Sequence, residues 1–136
     1  MRSTEDVVPI RTLGDVPAEL LSAFWDYDRA LLGNDVAMMD GLFAPGPDTM
    51  RGDGRTLLVG HEAITAFRGT RAVIPTRRVT AVHVRMLSSD SAVAVAETRD
   101  PGGVKTGLQT QVWNFGGDKR WQVIAAHVST PTASPV

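Results

Sequence analysis

The spacing of hydrophobic positions changes from a helical period in the first half of the chain to a two-residue period in the second half. Residues 18–32 carry apolar side chains three or four positions apart, which predicts a first helix, capped by Asp15 and ended by Gly33. Its buried stripe consists of Leu20, Phe24, Tyr27 and Leu31. The stripe therefore carries a phenol inward, where the hydroxyl can bond a backbone carbonyl or act as a donor in a pocket.

Two further helices are predicted before the strand-rich half begins. The second helix begins at Asn34 or Asp35, whose side chains suit an N-cap, and Pro45 stops it because a proline ring cannot continue a helix. The third helix begins at His61 or Glu62, after a glycine that breaks the preceding strand. The first half of the chain therefore supplies three helices.

A small hairpin over residues 48–59 is predicted between the second and third helices, with residues 53–54 as its two-residue turn. Arg51 lies just before this turn. On the third helix, Arg68 and Arg71 border the apolar face. These two arginines can extend their charged groups into water, as arginines at a helix margin commonly do, or form an anion clamp together with Arg51. The sequence leaves both interpretations open.

Four strands are predicted one after another in the second half of the chain. Alternating side chains indicate strands over residues 76–87, 92–99, 104–115 and 119–130, joined by turns rich in serine, glycine and proline. Consecutive strands with such short connections form an antiparallel meander.

The last two strands mix amide, imidazole and apolar side chains on both faces. On the first of them, one face holds Gln109, Gln111, Trp113 and Phe115. On the second, alternation places on one face Trp121, Val123, Ala125, His127 and Ser129. This mixture predicts packing on one face of the sheet and a pocket or a subunit contact on the other.

Helices grouped before an antiparallel sheet predict an α+β fold, in which three N-terminal helices pack on a strongly curved sheet and leave a cavity between the two layers. Residues 15–130 are expected to form this single domain. Residues 1–14 are expected to be a partly ordered N-terminal arm. Residues 131–136 are rich in proline, serine and threonine and are expected to be a disordered tail.

Composition narrows the range of partners. With 136 residues and 43% hydrophobic content, the chain has the size of one globular domain. The net charge of −1 provides no basic field for nucleic acid, and no apolar run approaches the roughly 20 residues that span a bilayer. The absence of cysteine excludes thiolate chemistry, and the three histidines lack ligand spacing, so neither a metal nor a cofactor is expected. A cytoplasmic protein without a membrane partner is the expectation.

Several strings of residues, in this order, carry a resemblance to a known family. They are ALLGND after Tyr27, DTMRGDG around Arg51, GHEAITAFRGTR on the third helix, and LQTQVW and WQVIAAHVS on the last two strands. Together they resemble the AtzH/HpxZ-like branch of the NTF2-like (SnoaL-like) superfamily, whose fold is a cone. The resemblance extends from about residue 20 to residue 129.

The resemblance implies roles for individual residues. Tyr27 and Arg51 are expected to face each other in the cavity as the catalytic pair. Four further positions match polar residues of the family and are expected to contact the substrate: Arg68, Arg71, Gln111 and His127.

The resemblance also implies an activity. The chain would be a decarboxylating amidohydrolase that acts on a carboxylated urea or a related small anionic ureide. Such a reaction asks for guanidinium groups that bind carboxylates, a donor near the developing oxyanion and a positioned water, but for no metal, cofactor or covalent nucleophile.

Two other functions stay open at this point. A non-catalytic ligand-binding or auxiliary protein of ureide or oxalurate catabolism would need the same arginines. An isomerase of the same fold would need an inward carboxylate beside the tyrosine, for which Glu97 and Asp40 are the candidates. A homodimer formed through the sheet is also expected, with Trp113, Phe115 and the valines of the central strands at the contact.

Overall fold

In the computed structural model, which describes residues 8–70 and 76–129, three helices cover one face of a single sheet. The helices are α1 (Ala18–Leu32), α2 (Val36–Leu42) and α3 (His61–Thr70). The strands are β1 (Ile10–Leu13), β2 (Met50–Gly52), β3 (Leu57–Val59), β4 (Arg78–Ser88), β5 (Ser91–Arg99), β6 (Thr106–Phe115) and β7 (Trp121–Ser129). The α+β order is the predicted one. The face that the helices cover is called the inner face below.

The helix ends follow local rules, with one exception. Gly33 ends α1 as predicted, and its backbone N–H donates to the carbonyl of Arg29. Asp35 begins α2, and its carboxylate accepts a hydrogen bond from the backbone N–H of Met38. The prediction of Asp15 as the cap of α1 is wrong, because the extended Pro17 occupies the N-cap without a side-chain hydrogen bond.

The sheet has the order β1-β4-β5-β6-β7-β2-β3, and β4 to β7 form the predicted antiparallel meander. The hairpin of β2 and β3 joins the meander by parallel pairing of β2 with β7, with Arg51 beside Ala126. Its turn spans Asp53 to Thr56 rather than two residues, since the N–H of Asp53 donates to the carbonyl of Thr56. Strand β1, within the segment predicted as an arm, pairs in parallel with β4.

A β-bulge in β7 changes which side chains face the helices. Val112 pairs with Ala125 and Trp113 pairs with Val123, so Ile124 is an extra residue without a partner on β6. The alternation predicted for this strand is therefore wrong beyond the bulge. The side chains that reach the inner face are those of Trp121, Val123, Ala126 and Val128.

The core lies between the inner face and the helices. The stripe predicted on α1 is buried, and it meets the inner-face residues of β4 to β7. Trp113 has 0% exposure within this core, so its predicted place in a homodimer contact is wrong. Burial of such aromatic side chains stabilises the packing of the two layers.

Some expectations fall outside the described residues or concern membranes. The predicted tail, residues 131–136, and Arg71 lie outside the part of the chain that the structure describes. Within that part, no helix has both the length and the apolar character needed to cross a bilayer.

Candidate functional site

A cavity of about 220 Å³ opens where α1 meets the inner face near the ends of β2, β5, β6 and β7. At about 30 Å³ for each water molecule, this space holds roughly seven waters or one small ligand. Leu31 and Val128 contribute apolar walls. The polar and charged lining that concerns the chemistry comes from Tyr27, Arg51, Arg77, Thr98, Asp100 and Gln109.

Tyr27 reaches the cavity from the buried stripe of α1. Its side chain packs against Phe43, with the ring centroids 5.5 Å apart, and the residue is 3% exposed. The hydroxyl takes part in none of the side-chain hydrogen bonds formed among residues 8–70 and 76–129. Tyr27 therefore lies at the cavity wall, and its role as a donor stays a prediction.

Arg51 approaches the same cavity from β2. Parallel pairing with β7 places Arg51 beside the inner-face residue Ala126, so its side chain also points inward. The guanidinium lies 5.0 Å from the ring centroid of Phe67 and 4.0 Å from Asp53 Oδ2, and its side chain is 11% exposed. These contacts are weak, which leaves the guanidinium able to bind an anion.

The hairpin turn fixes the position of Arg51. Asp53 Oδ1 accepts hydrogen bonds from the backbone N–H groups of Arg55 and Thr56, at 2.7 and 2.8 Å. These two hydrogen bonds are the main reason why the pKa of the Asp53 carboxyl lies below its usual value, with smaller contributions from the charges of Arg51 and Arg55. The Asp53 carboxylate thus chiefly stabilises the turn and interacts only weakly with Arg51.

Arg77 is a second cavity arginine that the sequence analysis did not single out. Its Nη1 donates to Asp28 Oδ1 at 2.6 Å, and its Nη2 donates to Gln109 Oε1 at 2.5 Å. The side chains of Arg77 and Asp28 are 15% and 12% exposed, so the pair is largely shielded from water. These hydrogen bonds hold the guanidinium at the cavity wall in one orientation.

A signal for this pair was present in the sequence. Asp28 follows Phe24 by four positions and precedes Leu31 by three, so the helical period places it on the buried side of α1. Asp28 is 9% exposed, which agrees with that placement.

Arg68 does not line the cavity. Its Nη1 donates to Asp40 Oδ1 at 2.8 Å, and its guanidinium carbon lies 4.2 Å from the ring centroid of Phe43. The residue is 2% exposed, and its Nη2 has no hydrogen-bond partner among the described residues. Arg68 therefore serves the packing between α2 and α3 and lies outside the cavity lining, although the family resemblance implies that it contacts the substrate.

The two strand residues expected to contact substrate are also placed elsewhere. The carbonyl oxygen of the Gln111 side chain accepts a hydrogen bond from Trp113 Nε1 at 2.8 Å, and Gln111 is 1% exposed in the core. His127 lies beyond the bulge of β7, opposite Thr110, on the outer face of the sheet and exposed. Neither side chain lines the cavity.

The carboxylates considered for an isomerase are both engaged outside the cavity. Glu97 lies on the outer face, where its Oε2 is 2.6 Å from His83 Nε2. Asp40 pairs with Arg68. Among the residues that the structure describes, no cluster of histidine and carboxylate side chains is arranged to hold a metal ion.

A surface groove larger than this cavity lies elsewhere on the described part of the molecule. It has a volume of about 1180 Å³ and runs along the start of α3, with Pro47, His61 and Ala66 on its walls. It is more open than the Tyr27 cavity and contains no arginine. The smaller cavity is therefore the better candidate for a small-ligand site, because it encloses its polar groups.

Comparison with known proteins gives a consistent result. The AtzH-like family model matches residues 11–134. A protein of unknown function from the DUF3225 family of Pectobacterium atrosepticum shares 37% identity and a TM-score of 0.76, over 85% of this chain and 90% of that one. A cystatin-like fold protein from Burkholderia xenovorans shares 32% identity and a TM-score of 0.77, over 87% and 92% of the two chains.

More distant structures agree on the fold alone. An NTF2-like protein of unknown function from Pseudomonas putida has 20% identity and a TM-score of 0.70, over 87% of this chain and 88% of that chain. The predicted NTF2-like cone is thereby confirmed. No curated protein matches the chain.

Proposed function

This chain belongs to the AtzH-like family, and we propose that it hydrolyses a C–N bond in a carboxylated urea or a related small anionic ureide, with loss of carbon dioxide. The observation that supports this proposal most strongly is the meeting of Tyr27 and Arg51 at one enclosed cavity. They come from different elements, and a purely structural role for either residue would not require a cavity between them.

In the proposed reaction, Arg51 binds the carboxylate of the substrate through its guanidinium group. A water molecule attacks the urea carbonyl, and the phenol of Tyr27 donates a hydrogen bond to the oxygen on which negative charge develops. The C–N bond then breaks, and the departing nitrogen takes up a proton. The released N-carboxyl group is a carbamate, which loses carbon dioxide without further catalysis.

The substrate contact expected for Arg68 is not part of this proposal. Arg68 is committed to Asp40 and does not line the cavity. Arg77 is the second guanidinium at the wall, together with Gln109. The ligand would therefore be held between the side of the cavity that carries Arg51 and the side that carries Arg77.

A direct test is to incubate the purified protein with a panel of small carboxylated ureas and to follow the release of carbon dioxide and ammonia. The proposal predicts turnover that is lost in an Arg51→Met variant. Saturable binding without any turnover would refute the hydrolase and leave a ligand-binding protein.

A non-catalytic binding role is the second candidate, and one observation favours it. The carboxylates at or beside the cavity are already engaged, since Asp28 accepts from Arg77 and Asp100 Oδ1 accepts from the N–H groups of Val104 and Lys105. No described lining carboxylate is left without a partner to activate water as a base. The same turnover assay decides between the two functions.

We also propose that the chain pairs with a second copy through the outer face of its sheet. Apolar side chains on or beside this face remain accessible, with Leu108 51% and Ile124 36% exposed. Light scattering coupled to size-exclusion chromatography would show a dimer mass. A monomer at concentrations of tens of micromolar would contradict the pairing.

A further inference from the structure

Helix α3 brings an aromatic side chain to Arg51. Phe67 is half-buried and lies three residues after Ile64, which is 0% exposed, so the helical period turns the Phe67 ring toward the sheet. The helix packs against β2, the strand that carries Arg51. The guanidinium carbon of Arg51 lies over the Phe67 ring, 5.0 Å from the ring centroid. A side chain of α3 therefore contacts a cavity residue that comes from the sheet.

The ring uses a different part of the guanidinium from the part that binds a carboxylate. A cation over an aromatic face is attracted by the quadrupole of the ring, whereas the five N–H donors of a guanidinium lie around its edge. A carboxylate accepts two of these donors side by side. Arg51 can therefore keep its contact with Phe67 while it binds a ligand carboxylate.

Comparison with Arg68 shows how the surroundings of Arg51 differ from those of a structural arginine. Arg68 also lies over an aromatic ring, but its Nη1 donates to Asp40 Oδ1 at 2.8 Å, so a carboxylate compensates its charge. The ion pair of Arg51 with Asp53 is longer, at 4.0 Å, and the Asp53 carboxylate accepts two hydrogen bonds from its own turn. Phe67 is uncharged, so its ring restrains Arg51 without compensating the positive charge.

This restraint matters because an arginine side chain has many rotamers. A ligand that must itself order such a side chain loses roughly two- to tenfold in affinity. The Arg51 side chain contacts the ring in the same orientation in which it lines the cavity with Tyr27. Phe67 does not line the cavity. The ring thus supports the guanidinium from outside the ligand space.

We infer that Phe67 is a positioning residue of the anion site: its ring holds the Arg51 guanidinium in the orientation that binds the ligand carboxylate, and it does so without contacting the ligand. The inference rests on the proposed function, since it takes this cavity as the site of an anionic substrate. It adds a residue of α3 to a site whose lining comes from α1, the sheet and the segment before β4.

The first test is calorimetric titration of the protein with N-carbamoylglycine. Phe67→Leu keeps an apolar side chain but removes the ring, and it should weaken binding at least about threefold. Phe67→Tyr keeps the ring and should bind within about twofold of the wild type. Phe115→Leu is the matched control, because Phe115 contacts Trp121 and does not line the cavity. A smaller effect of Phe67→Leu, or an equal loss in Phe67→Tyr, would overturn the inference.

A second readout separates positioning from a merely structural role of the ring. Nuclear magnetic relaxation of the Arg51 Nε–H group, identified by its absence in Arg51→Met, reports how far this side chain is ordered in the free protein. The order parameter should be high in the wild type and in Phe67→Tyr, and it should fall clearly in Phe67→Leu. If the ring only packed α3 against the sheet, the order parameter would stay unchanged, and the inference would be wrong.

A further variant keeps the test informative if Phe67→Leu does not fold. Trifluorophenylalanine in place of Phe67 keeps the shape of the ring but weakens the negative charge of its face, so it should weaken N-carbamoylglycine at least about twofold. Unchanged affinity in this variant would contradict the assigned contact.

The outcomes separate this inference from the proposed function. If N-carbamoylglycine binding depends on Arg51 and on the Phe67 ring but carboxylated ureas are not hydrolysed, the inference stands and the hydrolase proposal is wrong. If carboxylated ureas are hydrolysed and Phe67→Leu changes neither affinity nor KM, the inference is wrong and the hydrolase proposal stands. If N-carbamoylglycine binding does not depend on Arg51, the inference is wrong whatever the turnover.

Discussion

Replacement of Arg51 by methionine separates anion binding from stability. In the folded protein the guanidinium forms only a 4.0 Å ion pair with Asp53 and a contact 5.0 Å from the Phe67 ring centroid. Each contributes at most about 1 kcal/mol, and the methionine side chain retains part of the apolar packing. The free energy of unfolding should therefore fall by about 1 kcal/mol, or roughly 4 °C in melting temperature.

The effect on ligand binding should be much larger. A carboxylate bound by a guanidinium fork accepts two charge-assisted hydrogen bonds of about 1.5–3 kcal/mol each. Their loss amounts to about 3–6 kcal/mol, or roughly 150- to 20,000-fold in the dissociation constant. A small stability change with a large affinity change is the pattern expected of a binding residue.

The assay pairs calorimetric titration of N-carbamoylglycine with thermal unfolding of the same samples. Arg55→Met is the matched control, because Arg55 lies in the same hairpin turn, is exposed and does not line the cavity. Affinity within about threefold of the wild type in Arg51→Met would refute the assignment of Arg51. A large loss of stability with binding retained would assign Arg51 a structural role instead.

Three further predictions address neighbouring groups. Tyr27→Phe should lower kcat for a carboxylated urea by roughly 100-fold, because a donor to the developing oxyanion is lost, and should leave KM within a few-fold of the wild-type value. Equal effects on kcat and KM would indicate that Tyr27 only binds the substrate. Asp40→Ala should cost about 3–5 kcal/mol in chemical denaturation by leaving the buried Arg68 unpaired. Arg68→Met in the same chain should recover most of that loss, with ligand affinity unchanged in the double variant. Because the pKa of Asp53 is lowered in the folded state, the carboxylate stabilises the turn at neutral pH, and this stabilisation is lost as the pH falls below about 4. Urea titrations should therefore show that the difference in unfolding free energy between the wild type and Asp53→Ala shrinks over that pH range. A constant difference would contradict this.

Local sequence signals predicted most of the secondary structure. The spacing of Leu20, Phe24, Tyr27 and Leu31 determined both the position and the buried side of α1, because burial of that face contributes more than any single cap. The wrong assignment of Asp15 shows that cap residues predict a helix end less reliably than the buried face predicts the helix. The carboxylate of Asp15, two residues before Pro17, does not cap the first amides of the helix. The presence of α1 and its buried side were thus predictable, and the residue that caps it was not.

The side of the sheet that each residue faces was predictable only up to the bulge. A single extra residue at Ile124 reverses the alternation of β7, which moves His127 to the outer face and brings Ala126 and Val128 inward. No residue type marks this position in the sequence. The faces predicted for residues of β7 after Ile124 were derived from strict two-residue alternation, which the bulge interrupts.

The candidate site was partly predictable for the same kind of reason. Tyr27 lay on a periodic helix face and Arg51 next to a turn, so local pattern and family resemblance together brought them to one cavity. Arg77 and Asp28 are 49 positions apart, and only the tertiary fold brings the residue that precedes β4 to the buried side of α1. Arg68 was assigned to the substrate because a buried arginine and a ligand-binding arginine look alike in sequence; its partner Asp40 is 28 positions away.

A crystal structure of the protein with bound N-carbamoylglycine is the measurement that tests the central claim most directly. The account predicts the carboxylate within hydrogen-bond distance of the Arg51 guanidinium, with the urea carbonyl next to the Tyr27 hydroxyl and the carbamoyl end at Arg77 and Gln109. Ligand density in the groove along α3, or an empty Tyr27 cavity in crystals saturated with the compound, would contradict it.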